Sequence, residues 1–161
     1  MLKVVLGACG TGKSFVLAEE ILDSVEQGAV LILTPNVWEI NQRLGFVSEY
    51  RKTHLNKPLS ILSVNNLNEV MKQLVFATGK FKAVYIDELP FDEKAIQKLH
   101  GFALGSKMDI GITWQTRIND SGNIWIYDYQ GKDGKDILIK ELTRNELRKK
   151  IYDYTFKGDV K

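Results

Sequence analysis

Gly7-Ala8-Cys9-Gly10-Thr11-Gly12-Lys13-Ser14 fits the pattern G-x-x-x-x-G-K-[ST] at every position. The residue types follow from the chemistry of holding a polyphosphate. Gly7, Gly10 and Gly12 let the backbone turn through positive φ and approach an anion closely, so that successive N–H groups point into one concavity. Lys13 brings a point charge to the terminal phosphate oxygens, and the Ser14 hydroxyl suits a Mg²⁺ ion bridging them.

The flanking sequence supplies the context this motif needs. Residues 2–6 are a short, mostly apolar run suited to a buried parallel strand, and from Phe15 to Leu22 apolar residues recur at helical spacing. A helix starting there aims its partial positive charge at the phosphates. The residues expected to hold a nucleotide are therefore Gly7, Ala8, Cys9, Gly10, Thr11, Gly12, Lys13, Ser14 and Phe15.

Working outward, Gly28 marks the end of the first helix, and residues 29–34 read as a second buried strand, giving a right-handed strand-helix-strand crossover in a parallel sheet. Asn36 followed by Glu39 is a helix start, with the helix expected to run to Leu44. Residues 45–57 then turn polar and basic: Arg51, Lys52, His54 and Lys57 lie among Phe46, Tyr50 and Leu55. They read as a solvated loop, with a surface tracking single-stranded nucleic acid as the alternative. Residues 59–64 alternate like a strand. Asn66 then caps a helix expected to turn Leu67, Val70, Met71, Leu74 and Val75 toward the core.

The second decisive stretch is Val84-Tyr85-Ile86-Asp87-Glu88, an apolar run ending in two acids, the Walker B pattern. At the carboxyl end of a buried strand Asp87 would hold Mg²⁺ through its shell, and Glu88 would orient and deprotonate an attacking water. Asp92 opens a further helix, and residues 108–114 form the next strand. Gln115, with Thr113, is a candidate sensor of the terminal phosphate; Arg117 is a candidate charge for the phosphates or for a neighbouring subunit's site.

Residues 124–129 and 136–140 read as an antiparallel hairpin. Thr143 and Glu146 then form a capping box for a final helix carrying Arg144, Arg148, Lys149 and Lys150, a basic end that the helix dipole accounts for, with contact to phosphate backbones as the alternative. The whole, residues 1–161, is expected to be a single α/β domain with a core over 1–118 and a hairpin-and-helix elaboration over 119–161.

Composition narrows the classes. With 22 basic and 20 acidic side chains the net charge is +2, so no global field argues for nucleic acid or a membrane surface. Cys9 is the only cysteine, which excludes an internal disulfide and a cysteine-based zinc site. With neither a signal-peptide pattern nor a long apolar run, the expectation is a cytoplasmic protein without a membrane partner, in a host or a virus-infected cell.

These motifs resemble the P-loop NTPases that carry an extra strand between the two Walker motifs and a catalytic glutamate after the second. The nearer likeness is to the N-terminal motor core of superfamily one helicases and to viral packaging-type ATPases. There Gly7 to Ser14 looks like motif I, residues 31–36 like motif Ia, Ile86-Asp87-Glu88 like motif II, and Gly111-Ile112-Thr113-Trp114-Gln115 loosely like motif III. The resemblance implies a three-layer, RecA-like fold with a mostly parallel sheet, and ATP with Mg²⁺ as ligands. It also implies hydrolysis coupled to nucleic-acid work by a homo-oligomer, or with a partner protein supplying an arginine finger. The second likeness is to thymidine kinases, in which Glu88 would deprotonate a deoxynucleoside hydroxyl. A nucleotide-switched scaffold without turnover is the remaining alternative.

Overall fold

The computed structural model describes residues 1–8, 12–51, 59–115, 122–153 and 155, without the side chain of Tyr50. Expectations placed on Cys9, Gly10, Thr11, Lys52, His54, Leu55, Lys57, Arg117 and the Tyr50 ring lie outside the described residues.

The strands are β1 (Leu2–Gly7), β2 (Val30–Thr34), β3 (Leu59–Ser63), β4 (Ala83–Ile86), β5 (Asp109–Gln115), β6 (Ile124–Asp128) and β7 (Ile137–Leu142). They form one mixed sheet in the order β3-β2-β4-β5-β1-β6-β7. From β3 to β1 every neighbouring pair is parallel. The hairpin β6-β7 extends the same sheet in antiparallel fashion through β1. The helices are α1 (Lys13–Val25), α2 (Val37–Arg51), α3 (Leu67–Ala77), α4 (Glu93–Ser106) and α5 (Arg144–Tyr152).

Alternation along the strands divides the core in two. Val4, Leu31, Leu33, Val84 and Ile86 pack with α3 and α4. Val5, Val30, Ile32, Ala83 and Tyr85 pack with α1, α2 and α5. Successive strand residues point to opposite faces, so near-continuous apolar strands require helices on both sides. The fold is accordingly α/β, with the sheet covered on both faces.

Two expectations are corrected. The helix opened at Asn36 does not stop at Leu44: α2 runs to Arg51, so residues 45–51 are helix and not loop. Its continuation has a physical cause, because Ile40, Leu44 and Val47 are buried along one face beside α1, and Arg51 at the end binds Asp23 of α1 at 2.6 Å. Polar residues on the opposite face gave the segment its loop-like composition. In α3, Val70 and Leu74 are buried with Leu67 and Met71 packed beside them, but Val75 faces solvent with Phe76. Val75 lies a full residue beyond the stripe set by Leu67, Val70 and Leu74.

Candidate functional site

Parallel strands present their carboxyl ends on one side of a sheet, and the register decides which residues meet there. Gly7 of β1 pairs with Gln115 of β5, and Ile86 of β4 pairs with Ile112 of β5. The residue after Ile86 is Asp87, which is thereby placed opposite Thr113. The Thr113 hydroxyl donates to Asp87 Oδ1 at 2.8 Å and accepts from the Glu88 N–H at 3.2 Å. Both Asp87 and Thr113 are buried.

The first turn of α1 reaches the same place. Gly12 adopts φ 97°, a left-handed conformation, and α1 starts at the next residue. No side chain caps this N-terminus, and its first turn holds no acid, whereas Asn66, Asp92 and Thr143 cap α3, α4 and α5. The positive end of the helix dipole thus faces the cleft, an arrangement suited to an anion. Ser14 borders the same cleft as Asp87, and its hydroxyl favours the ionised Asp87 carboxyl; the Lys13 ammonium donates to the Ala8 carbonyl at 2.6 Å.

Together these residues line a cleft of ≈ 1520 Å³ whose walls include Lys13, Ser14, Asp87, Glu88, Thr113 and Gln115. The residues expected to act together therefore do meet, with Gln115 exposed at the rim. Phe15 lines the cleft too, although its side chain belongs to the core.

The two acids differ electrostatically. Burial pushes the Asp87 carboxyl up, while hydrogen bonds from Thr113 and Ser14 pull it back. Such a carboxylate, desolvated but held by two hydroxyls, gains from a cation. Among the described residues no three His, Cys, Asp or Glu side chains converge as metal ligands. The available donors are the Ser14 hydroxyl and Asp87, hard oxygen ligands that fit Mg²⁺, an ion that completes its shell with waters and phosphate oxygens. Glu88 is pushed up to about 7, first by desolvation, then by the proton its neutral form shares with the Glu39 carboxylate and by the charges of Asp87 and Glu39, with Arg43 opposing. Glu88 is exposed by surface area, yet its carboxyl lies in the cleft beside two other acids. Its backbone has φ 63°, a costly conformation for a residue with a Cβ and one that recurs at functional sites.

Sequence reasoning missed the reach of Glu39 and the seating of Leu147 on Gly12. Glu39, read only as a capping partner of Asn36, does make that contact at 3.1 Å through its N–H but also reaches Glu88 from the opposite wall. Helix α5 packs against Gly12: a Cβ there would lie 3.0 Å from Leu147 Cδ2, and Arg144 and Arg148 line the cleft. Arg144 and Arg148 of the basic helix end thus border the cleft. The spacing of Leu147 and Ile151 against Arg144 and Arg148 was the available signal, since it defines an apolar seam beside a basic one.

Compared with known proteins, the chain matches no protein-family model and no curated protein. No helix among the described residues is long and apolar enough to cross a membrane.

Proposed function

We propose that this protein binds Mg-ATP and hydrolyses it, on a RecA-like P-loop fold of the additional-strand type. The observation that carries this reading is that Lys13 and Ser14, at the start of α1, border one cleft with Asp87 and Glu88, the acids that Thr113 fixes at the end of β4. Two segments far apart in sequence supply the two halves of one phosphate-and-metal site. The interposition of β5 between β1 and β4 supports the same reading, because that is where an additional strand separates the two Walker segments.

In this reading the loop N–H groups and Lys13 hold the β and γ phosphates, and Ser14 and Asp87 position Mg²⁺. The bound ion would neutralise charge between the β and γ oxygens. Glu88 accepts a proton from the attacking water as its oxygen bonds to the γ phosphorus. The bond from that phosphorus to the bridging oxygen breaks, releasing ADP and inorganic phosphate. Thr113 fixes both acids, holding Asp87 by its hydroxyl proton and the Glu88 backbone by its oxygen. Gln115 at the strand end orients the water or senses the γ phosphate.

The test is phosphate release from Mg-ATP by the parent and by Lys13→Ala. Lys13→Ala should abolish turnover, and equal rates in the two proteins would sink the assignment. Adding DNA, RNA or thymidine to the same assay separates the uses of the site. Acceleration by nucleic acid supports an oligomeric motor or packaging role, phosphorylated thymidine supports a kinase, and tight binding without turnover supports a switch.

A further inference from the structure

Helix α5 belongs to the elaboration after the core strands, yet it forms one wall of the cleft. Its register is fixed by apolar contacts: Leu147 is buried in the core face shared with α1, and Ile151 packs beside it. The Lys150 ammonium adds an ion pair to Glu19 of α1 at 2.9 Å. At its start, the Arg144 N–H donates to the Asn123 side chain at 3.1 Å and the Thr143 hydroxyl accepts from the Glu146 N–H at 3.2 Å. With Leu147 and Ile151 held down, the helical period sets Arg144 and Arg148, four residues apart, on an adjacent seam that borders the cleft.

The charges of that cleft are unequally matched. Arg43 has Glu39 at 3.8 Å, and Lys13 is engaged by the loop carbonyl of Ala8. Arg144 and Arg148 have no carboxylate partner among the described residues, although Asp87 and Glu88 share the same cleft. Two arginines bordering the cleft without an acid to neutralise them favour an anion between the walls. A planar guanidinium is well suited to phosphate oxygens, which it engages by two parallel hydrogen bonds.

We infer that Arg144 and Arg148 of α5 complete the phosphate site in cis, engaging the terminal phosphate oxygens of the nucleotide held by the same chain's loop. This rests on the ATPase reading above and deepens it: the arginine charge expected from a partner subunit is supplied by the chain itself. The docking of α5 through Leu147 is then a condition for a complete site.

A mixing experiment tests this in the full chain. The proteins are the parent, Lys13→Ala, the double variant Arg144→Ala with Arg148→Ala, and Arg148→Lys, each checked for an unchanged melting temperature. The double variant should lose about 10²-fold or more in kcat, as expected when charge stabilising a phosphoryl transition state is removed. Arg148→Lys, which keeps the charge but loses the fork, should recover part of it. A mixture of the double variant with Lys13→Ala should stay as inactive as its components, because each chain lacks one half of its own site. Recovery of activity on mixing would place the arginines in a neighbour's site and overturn the cis assignment. Parental turnover in the double variant, with Lys13 dependence intact, would overturn the arginine role alone. A parent without Lys13-dependent turnover would overturn the underlying reading as well.

Discussion

The Thr113 hydroxyl lies 2.8 Å from Asp87 Oδ1, joining the interposed strand to the acid that ends its neighbour, and the same oxygen accepts the Glu88 N–H. One buried hydroxyl thus fixes two adjacent acids of different character. Thr113→Val keeps the shape and removes both bonds, leaving a buried carboxylate short of a donor. The expected cost is about 1–3 kcal/mol, read as a lower urea midpoint with an unchanged m value. Thr113→Ser should regain most of it. A midpoint for Thr113→Val equal to the parent's would mean that Asp87 does not depend on this donor.

If Glu88 is the base of the proposed hydrolysis, the pH dependence of turnover should report it. Its carboxyl is pushed up to about 7, and a general base works only when deprotonated. The value of kcat/KM should therefore rise with pH up to about 7 and then level. Glu39→Gln removes a neighbouring negative charge and a partner that favours the protonated form, so the acidic limb should move to lower pH. Glu88→Gln should bind Mg-ATP and fail to turn it over. An acidic limb that Glu39→Gln leaves in place would separate Glu39 from the base.

The same shift has a consequence for folding with a definite sign. Because the folded-state value of Glu88 lies above its ordinary 4.5, the folded protein holds this proton more tightly than the unfolded chain. Its contribution is fully present below the ordinary value and is lost as pH rises toward about 7. Glu88→Gln should flatten that part of the stability profile, measured by denaturation at a series of pH values. An unaltered slope would contradict the shifted titration.

Gly111 has a packing role that its position in a motif does not reveal. A Cβ there would lie 2.5 Å from Cδ1 and Cε1 of Tyr85, on the neighbouring strand. The Tyr85 ring cannot easily yield, because it is buried and its hydroxyl is bonded to the Ser24 hydroxyl. Gly111→Ala should therefore destabilise by about 1–3 kcal/mol through overpacking. In combination with Tyr85→Ala, which vacates the space, the two losses should sum to more than the measured total. Strict additivity would show that the ring and the glycine do not compete for space.

How far the sequence discloses this molecule depends on the range of the forces involved. The start of α1 after Gly12 and the end of β4 before Asp87 were legible because each is a local pattern in consecutive residues. The caps at Asn66, Asp92 and Thr143 were legible for the same reason, and each makes the expected bond to the N–H three residues on. The placement of β5 between β1 and β4 is a choice of sheet order that no single segment encodes. Helix α2 outran its expected end because a tertiary partner, α1, outweighed a polar composition. The approach of α5 to Gly12 depends on contacts between segments more than a hundred residues apart. Only the apolar seam of Leu147 and Ile151 hinted at it.

What holds α5 against Gly12 and α1 can be divided between an apolar anchor and an ion pair. Leu147 is buried, whereas the Lys150 and Glu19 side chains of the 2.9 Å pair both retain contact with solvent. Screening and side-chain entropy leave such a pair worth about 0–1 kcal/mol, while truncating a buried leucine costs about 2–5 kcal/mol. Leu147→Ala should therefore lower the unfolding free energy substantially and Lys150→Ala only slightly. If α5 supplies the cleft with its arginines, Leu147→Ala should also reduce ATP turnover at temperatures where the variant is still folded, because its wall is no longer seated against Gly12. Lys150→Ala should keep near-parental turnover. A folded Leu147→Ala protein with undiminished turnover would show that the catalytic cleft works without a docked α5.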